Sequence, residues 1–352
     1  MNKERERKAN FRTARNCAAV FLLVLGSFAA CAAGMLTGCG RHEDVTVETA
    51  QTATVTTTVE LTTEDEQEEE TAAFFVYPER TEDSVKFGEE TDALHAVLFN
   101  AETGQTVAYR DENFLVWPAS LTKVMTLIVV VENVDDLSAR VTFTEDMIAP
   151  FVEADASRSG YDPGETATIE ELLYGIVLAS GADSALAAAE YVAGSEAAFV
   201  ELMNKKAEEM GLRRTHFTNV TGLHDKQHYS TAADMGAILS YAMNIDICRQ
   251  ILMTEDYKLP ETEQHPEGID LKSTLFSRMY GDEMPGVVIR GGKTGYTDKA
   301  KNCIEAFADV NGTEYILVLC GSSTKWNAVY STLSAFSIYC AGGEKYNPPS
   351  KR

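Results

Sequence analysis

"PASLTKVMT", residues 118–126, opens an apolar run that continues to Val134, and its reading decides how the rest of the chain is understood. Pro118 and Ala119 start a helix, so Ser120 falls in its first turn and Lys123 projects from the same face three residues on. A serine there is an ordinary helix cap. It is also a hydroxyl within reach of an amine. At the positive end of a helix dipole, among Val124 and Met125, an ammonium is disfavoured and the lysine is pushed toward a neutral base. A base beside a hydroxyl is what a serine nucleophile needs. The pair by itself leaves cap and nucleophile both open.

Two further stretches bear on the choice. "LASGADS", 178–184, places Ser180 and Gly181 in a tight turn between two helical segments, 60 residues beyond Ser120. "RGGKTGYTD", 290–298, places Lys293, Thr294 and Gly295 at the end of a strand, 173 residues beyond it. Lys293 and Thr294 supply a cation and a hydroxyl suited to a carboxylate. The glycines around them let a ligand lie against the strand edge.

Ser-x-x-Lys, Ser-Gly-Ala and Lys-Thr-Gly in that order resemble the serine penicillin-recognising enzymes. Longer stretches, "FNAETGQTVAYRDENFLVWPASLTKVMT", "FVELMNKKAEEMGLRRTHFTNVTGLHDKQHYSTAADM" and "GGKTGYTDKAKNC", narrow the resemblance to the low-molecular-mass D-alanyl-D-alanine carboxypeptidases over residues 93–342. The resemblance implies an α+β, penicillin-binding/serine β-lactamase-like fold: an antiparallel sheet flanked by helices plus an all-helical lobe, with the site in the cleft between. It implies Ser120 as the acylated nucleophile, Lys123 as its base, Ser180 as a proton relay and Lys293 as the carboxylate and relay cation. Lys293, Thr294 and Gly295 would bind substrate, and the backbone N–H groups of Ser120 and Tyr296 would form the oxyanion hole. Peptidoglycan stem peptides are then the substrates, β-lactams covalent inhibitors, and no cofactor is called for. The chain departs from the family at Ala182, where an asparagine is usual, and at Lys325 in "SSTKW", where an arginine often stands.

Patterning outside the motifs agrees with that fold. "ALHAVLFNAETGQTVAYRDE" alternates like two edge-of-sheet strands around a turn. "ASLTKVMTLIVVVENV" is apolar nearly all round, like a helix buried in mid-domain, and "TIEELLYGIVLAS", "DSALAAAEYVAG" and "SEAAFVELMNKKAEEMGL" read as further helices. Strands return in "GVVIRGGKTG" and in "NCIEAFADVNGTEYILVLCG", where Asn311-Gly312 is a strong hairpin signal. "WNAVYSTLSAFSIYCAGG" is a final helix. Strands at both ends and helices in the middle predict one sheet built from both ends of the domain, placed at 93–345.

The N-terminal quarter differs. Residues 1–39 carry a basic start and an uncharged apolar run ending in "LTGC", Leu36 to Cys39, which resembles the bacterial lipobox with Cys39 as the lipidated residue. An uncleaved signal anchor is the alternative, since the run is long enough to span a bilayer. Either places the protein outside the cytoplasm, tethered to the membrane by its N-terminus. Residues 41–92 hold sixteen acids and three bases, net −13, and residues 40–92 read as a solvated, disordered Thr/Glu-rich stalk. The net charge of −24 argues against nucleic acid as a partner.

Seven cysteines occur. Cys17, Cys31 and Cys39 lie in the leader, and no C-x-x-C spacing suggests a metal. A hairpin turning on Asn311-Gly312 pairs residues whose numbers sum to 623, so Cys303 and Cys320 face each other, either as a cross-strand disulfide or as two small buried thiols. His224 and His228 in "HDKQH" have the spacing of a zinc motif, but the flanking turn formers make this a loop, so no metal site is expected. Within the enzyme class a β-lactamase shares the signature and needs a further general base; Glu201 and Asn204 in "ELMN" are three apart but sit on the amphipathic helix "SEAAFVELMNKKAEEMGL". A catalytically weak peptidoglycan-binding protein is the remaining alternative, suggested by Ala182.

Overall fold

The computed structural model describes residues 75–279 and 281–348, all within one compact unit, Glu69–Arg352. The leader, Cys39 and the first part of the acidic tract lie outside the described residues. Among the described residues no helix is long and apolar enough to cross a membrane.

One sheet organises the chain: β1 (Glu79–Lys86), β2 (His95–Asn100), β3 (Gln105–Arg110), β8 (Val287–Thr297), β9 (Lys301–Val310) and β10 (Thr313–Ser322) stand in the order β1-β3-β2-β10-β9-β8. Early and late strands meet at the β2–β10 pair, as the sequence predicts. All neighbours are antiparallel except β1 and β3, which are parallel. Two small hairpins, β4 (Arg140–Thr142) with β5 (Thr166–Thr168) and β6 (Asp256–Leu259) with β7 (Ile269–Lys272), stand apart from it.

Alternate side chains commit the two faces of the sheet to different helices. Val97, Phe99, Phe307, Ile316 and Val318 face α1 (Thr122–Asn133), α6 (Ala232–Met243) and α7 (Asp246–Leu252). Leu98, Ile304, Ala306, Ala308 and Leu317 face α9 (Lys325–Cys340), which contributes Val329, Leu333 and Phe336. The mid-domain position expected of α1 is observed: Thr122 through Val130 are all buried. Each such aliphatic side chain contributes about 1.5–3 kcal/mol through burial. Around α1 are packed α2 (Glu145–Glu153), α3 (Ile169–Val177), α4 (Ala182–Ala193) and α5 (Glu196–Glu209), forming the helical lobe. Thr168 and Glu171 close a reciprocal capping box at the start of α3, and Gly194 ends α4 in a left-handed conformation.

Two expectations are corrected. The tract read as disordered through residue 92 is ordered from residue 75. The Phe75 and Tyr241 ring centroids are 5.8 Å apart, Val76 N donates to Ser240 Oγ at 3.1 Å, Tyr77 Oη donates to Asp234 Oδ1 at 2.8 Å, and β1 adds to β3. The acidic side chains of β1 remain in solvent while its backbone supplies the pairing, so charge-rich composition does not prevent a strand. Second, β2 is a central strand with Ala96–Phe99 buried, because β1 and β3 cover one side and β10 the other. Of the two readings left open for Cys303 and Cys320, the structure bears out the buried thiols: both are free. The register summing to 623 runs from Thr313↔Val310 to Leu319↔Ile304, with Asn311 (φ 54°) and Gly312 (φ 87°) forming the turn, but an irregularity follows Leu319. Cys303 Sγ donates to Ala300 O at 3.7 Å.

Candidate active site

Ser120 lies in a 3₁₀ turn, Ala119–Leu121, immediately before α1. Its hydroxyl does not cap that helix; α1 has no side-chain cap at its start. Lys123 Nζ donates to Ser120 Oγ at 3.2 Å and to the carbonyl oxygen of Thr221 at 2.8 Å. The helical spacing thus places the amine beneath the hydroxyl as expected, while the cap reading fails because the lysine takes the hydroxyl. Lys123 is buried, and burial brings its pKa down to about 7, with Asp183 opposing the shift. Near neutral pH a substantial fraction is therefore free amine, able to accept the Ser120 proton.

Backbone geometry brings in the second and third motifs. Ala119 has φ 50° and Ser180 φ 57°, a left-handed region that residues other than glycine seldom occupy. These turns and the end of β8 surround one cleft of about 1020 Å³ lined by Ser120, Lys123, Ser180, Thr294, Gly295 and Tyr296, among others. Gly295 is required here: a Cβ on it would come within 2.9 Å of Ser120 N and 3.1 Å of Ala119 Cβ. Ser120 N and β8 consequently approach as closely as an oxyanion pocket demands.

Lys293 is placed differently from the expectation that it lines the cleft. It is 1% exposed, beneath the cleft lining, and its Nζ donates to Thr294 O at 2.9 Å. Burial pushes its pKa well down, Lys123 and Arg278 add repulsion, and Glu305 opposes them. Thr294 presents its hydroxyl, which shares a hydrogen bond with Thr274 Oγ1 at 2.7 Å. Tyr296 is largely exposed, with its Oη donating to Asp298 at 2.9 Å.

The two departures from the family pattern are both on the cleft. Ala182 packs with Phe151 and Leu186, so that part of the lining is apolar where the family usually carries an amide. Its neighbour Asp183 turns inward and accepts from Ser159 N at 2.8 Å and Ser184 N at 2.9 Å, fixing the loop that forms the opposite rim. Lys325 opens α9, with its Nζ 5.1 Å from the ring centroid of Trp326.

Of the other sequence candidates, His224 lines the cleft and the rest fall elsewhere. His228 is buried, its Nε2 paired with Thr122 Oγ1 at 2.8 Å and its Nδ1 accepting from Thr218 N at 3.1 Å; burial lowers its pKa to about 4. His224 packs edge-on against Trp117 at 4.9 Å, so the two imidazoles serve separate partners. Asn204 uses its amide to hold both backbone groups of Phe217, and neither it nor Glu201 lines the cleft. Asp162, Glu165 and His265 are close enough to hold a metal ion, but His265 Nδ1 is hydrogen-bonded to Glu165 at 2.9 Å and none of the three lines the cleft. Sequence reasoning missed Thr221, whose contribution is a backbone oxygen and leaves no side-chain signature. It also missed Thr274 and Arg278, which line the cleft from a segment with no motif.

Comparison with known proteins bears on the family and the fold. A family profile described as D-alanyl-D-alanine carboxypeptidase matches residues 80–324. The chain is 35% identical over 234 residues to the D-alanyl-D-alanine carboxypeptidase DacF of Bacillus subtilis, covering 66% of this chain and 58% of that protein. It is 34% identical over 173 residues to DacD of Escherichia coli, covering 46% of this chain and 44% of that one. The match thus spans less than two thirds of either relative's length. Among solved structures, a Streptomyces DD-transpeptidase superposes with a TM-score of 0.63 at 27% identity, covering 69% of this chain and 94% of that one. Penicillin-binding protein 5 from Haemophilus influenzae superposes with a TM-score of 0.63 at 25% identity, covering 72% of each. Sharing that family's profile over most of its length and the fold of its solved relatives, this chain belongs to the D-alanyl-D-alanine carboxypeptidase family.

Proposed function

We propose that this chain is a serine-type D-Ala-D-Ala carboxypeptidase that removes the terminal D-alanine from peptidoglycan stem peptides. The observation that carries the reading is the Lys123 amine on the Ser120 hydroxyl, at the edge of a cleft whose other wall is Thr294-Gly295-Tyr296. The substrate's terminal carboxylate meets the Thr294 hydroxyl, with the charge of Lys293 behind it and Lys325 at the rim. Lys123 takes the Ser120 proton as Oγ attacks the carbonyl carbon of the penultimate D-alanine. The resulting oxyanion lies against the N–H groups of Ser120 and Tyr296. Collapse breaks the C–N bond, a proton relayed through Ser180 reaches the leaving amine, and D-alanine departs. Water then hydrolyses the ester and restores Ser120. An amine in place of water gives transpeptidation, and a β-lactam acylates the same oxygen.

Incubation with a pentapeptide ending in D-Ala-D-Ala tests this: the wild type releases D-alanine and Ser120→Ala does not. Absence of release from folded wild type would falsify the reading. The β-lactamase alternative receives no support from Glu201 and Asn204, which lie off the cleft; slow turnover of a penicillin adduct is expected. We further propose an extracytoplasmic location with the N-terminus as tether, supported by the "LTGC" stretch. Intact-mass measurement of the membrane-extracted protein distinguishes a lipidated Cys39 from an uncleaved leader.

A further inference from the structure

In the β8–β9 ladder Lys293 stands directly opposite Glu305. Residues so paired project from the same face of a sheet, about 5 Å apart at Cβ. Here that face is the one covered by α1, α6 and α7, to which Cys303 and Phe307, flanking Glu305 at two-residue spacing, also belong. On its other side Glu305 is paired with Val318. A carboxyl group has thus been inserted into an apolar layer. It is wholly buried, and neither of its oxygens has a hydrogen-bond partner.

Such a group is costly to hold as an isolated carboxylate, and a shape-matched apolar residue would be free of that cost. Burial pushes the Glu305 pKa well up, and the charge of Lys293 opposes that rise. Lys293 in turn faces Lys123 from α1 and Arg278 from α8 (Phe276–Met279), both of which drive its proton away, and Glu305, which retains it. The other titratable groups packed on this face are the Cys303 and Cys320 thiols and, from α7, Cys248 and Arg249. Arg249 is paired with Glu314.

We infer that Glu305 is a positioning residue for the reaction: from the neighbouring strand, on the same sheet face, it helps Lys293 hold its proton against burial, so that the amine's charge is available when a substrate carboxylate enters the cleft. This rests on the reading that Lys293 supports binding of that carboxylate. Ammonium with carboxylate, and amine with carboxylic acid, contain the same single proton, so the pair titrates as a unit. Without the acid, the charges acting on Lys293 among the described residues are those of cations, and it releases its proton at lower pH.

Glu305→Gln, which keeps the shape and removes the charge, tests this. The Lys293 titration is followed by NMR of protein carrying lysine labelled at the ε-carbon, with the resonance assigned by its loss in Lys293→Met. In parallel, acylation of Ser120 by benzylpenicillin is followed against pH by intact mass. The Lys293 midpoint is expected to fall by about one pH unit, a tenfold loss of proton affinity. The alkaline limb of acylation should move with it, while the acidic limb, set by Lys123, stays in place. The variant should melt no lower than wild type, because no hydrogen bond is lost. An unmoved Lys293 midpoint overturns the inference, as does a lowered melting temperature with both limbs unmoved, which would make Glu305 a packing residue. A wild type that titrates as described yet releases no D-alanine overturns the carboxypeptidase reading and leaves this one standing.

Discussion

The two lysines of the site are held by unlike structures for unlike work. Lys123 is positioned by one helical turn, reaches the cleft and touches the Ser120 hydroxyl. Lys293 is positioned by a strand ladder, lies under the cleft lining and donates to the carbonyl of its own neighbour, Thr294. Both are stripped of water, but Asp183 is the acid acting on the first and Glu305 the acid acting on the second. A helix turn fixes a short contact for proton transfer; a ladder places charge where it acts through a thin layer of protein. Contact and field should therefore fail differently when removed.

The largest effect is expected at Lys123. Lys123→Ala should slow Ser120 acylation by about 10³-fold or more, the upper part of the range for general-base removal, read by the rate of penicillin labelling. Lys293→Ala should cost about ten- to a hundredfold in kcat/KM, carried mainly by KM, as for loss of one charged interaction. Equal losses in kcat from both variants would erase the distinction.

The pH profile sharpens it further. In its proposed role Lys123 acts as a base only when unprotonated, so acylation should fall about tenfold per pH unit below its pKa of about 7. Lys123→Ala should lose that limb while Lys293→Ala keeps it.

A smaller effect concerns the support beneath Lys123. His228 steadies Thr122, and its folded pKa of about 4 lies below the ordinary 6.5. A histidine with a depressed pKa makes the unfolded chain bind more protons, so stability falls as pH drops from about 6.5 toward 4, by about 3 kcal/mol in all. Denaturant titrations of wild type and His228→Gln should show that slope in the first and its loss in the second. The smallest change is expected from Lys325→Arg, which offers a fork in place of a point charge and should lower KM for a D-Ala-D-Ala peptide about threefold.

What could be read in advance divides along the same line as the lysines. Ser120 with Lys123 is local, so a spacing of three was enough. The hairpin register was legible as far as Leu319↔Ile304, because Asn311-Gly312 dictates the turn. Beyond it, Gly321 (φ 84°) interrupts the strand and shifts the register, a signal that the simple hairpin count passes over. β1 was missed because its side chains describe solvent contact while its pairing is made by the backbone. The Thr221 carbonyl was invisible for a related reason. Glu305 looks like an ordinary polar position in "NCIEAFADV"; only the packing of both sheet faces makes it a buried acid.

The pairing of β2 with β10 joins Asn100 to Tyr315, 215 residues along the chain. Contacts so remote in sequence form late and slowly, because a long loop must close before they repay its entropy. Ser120 N depends on β8 at Gly295, and β8 is held in the sheet by β9, so the nucleophile has no working surroundings until the C-terminal third has folded. If Ser120 is acylated by penicillin as proposed, the label marks only molecules that have finished folding, which makes the antibiotic a molecule-by-molecule count of completed protein.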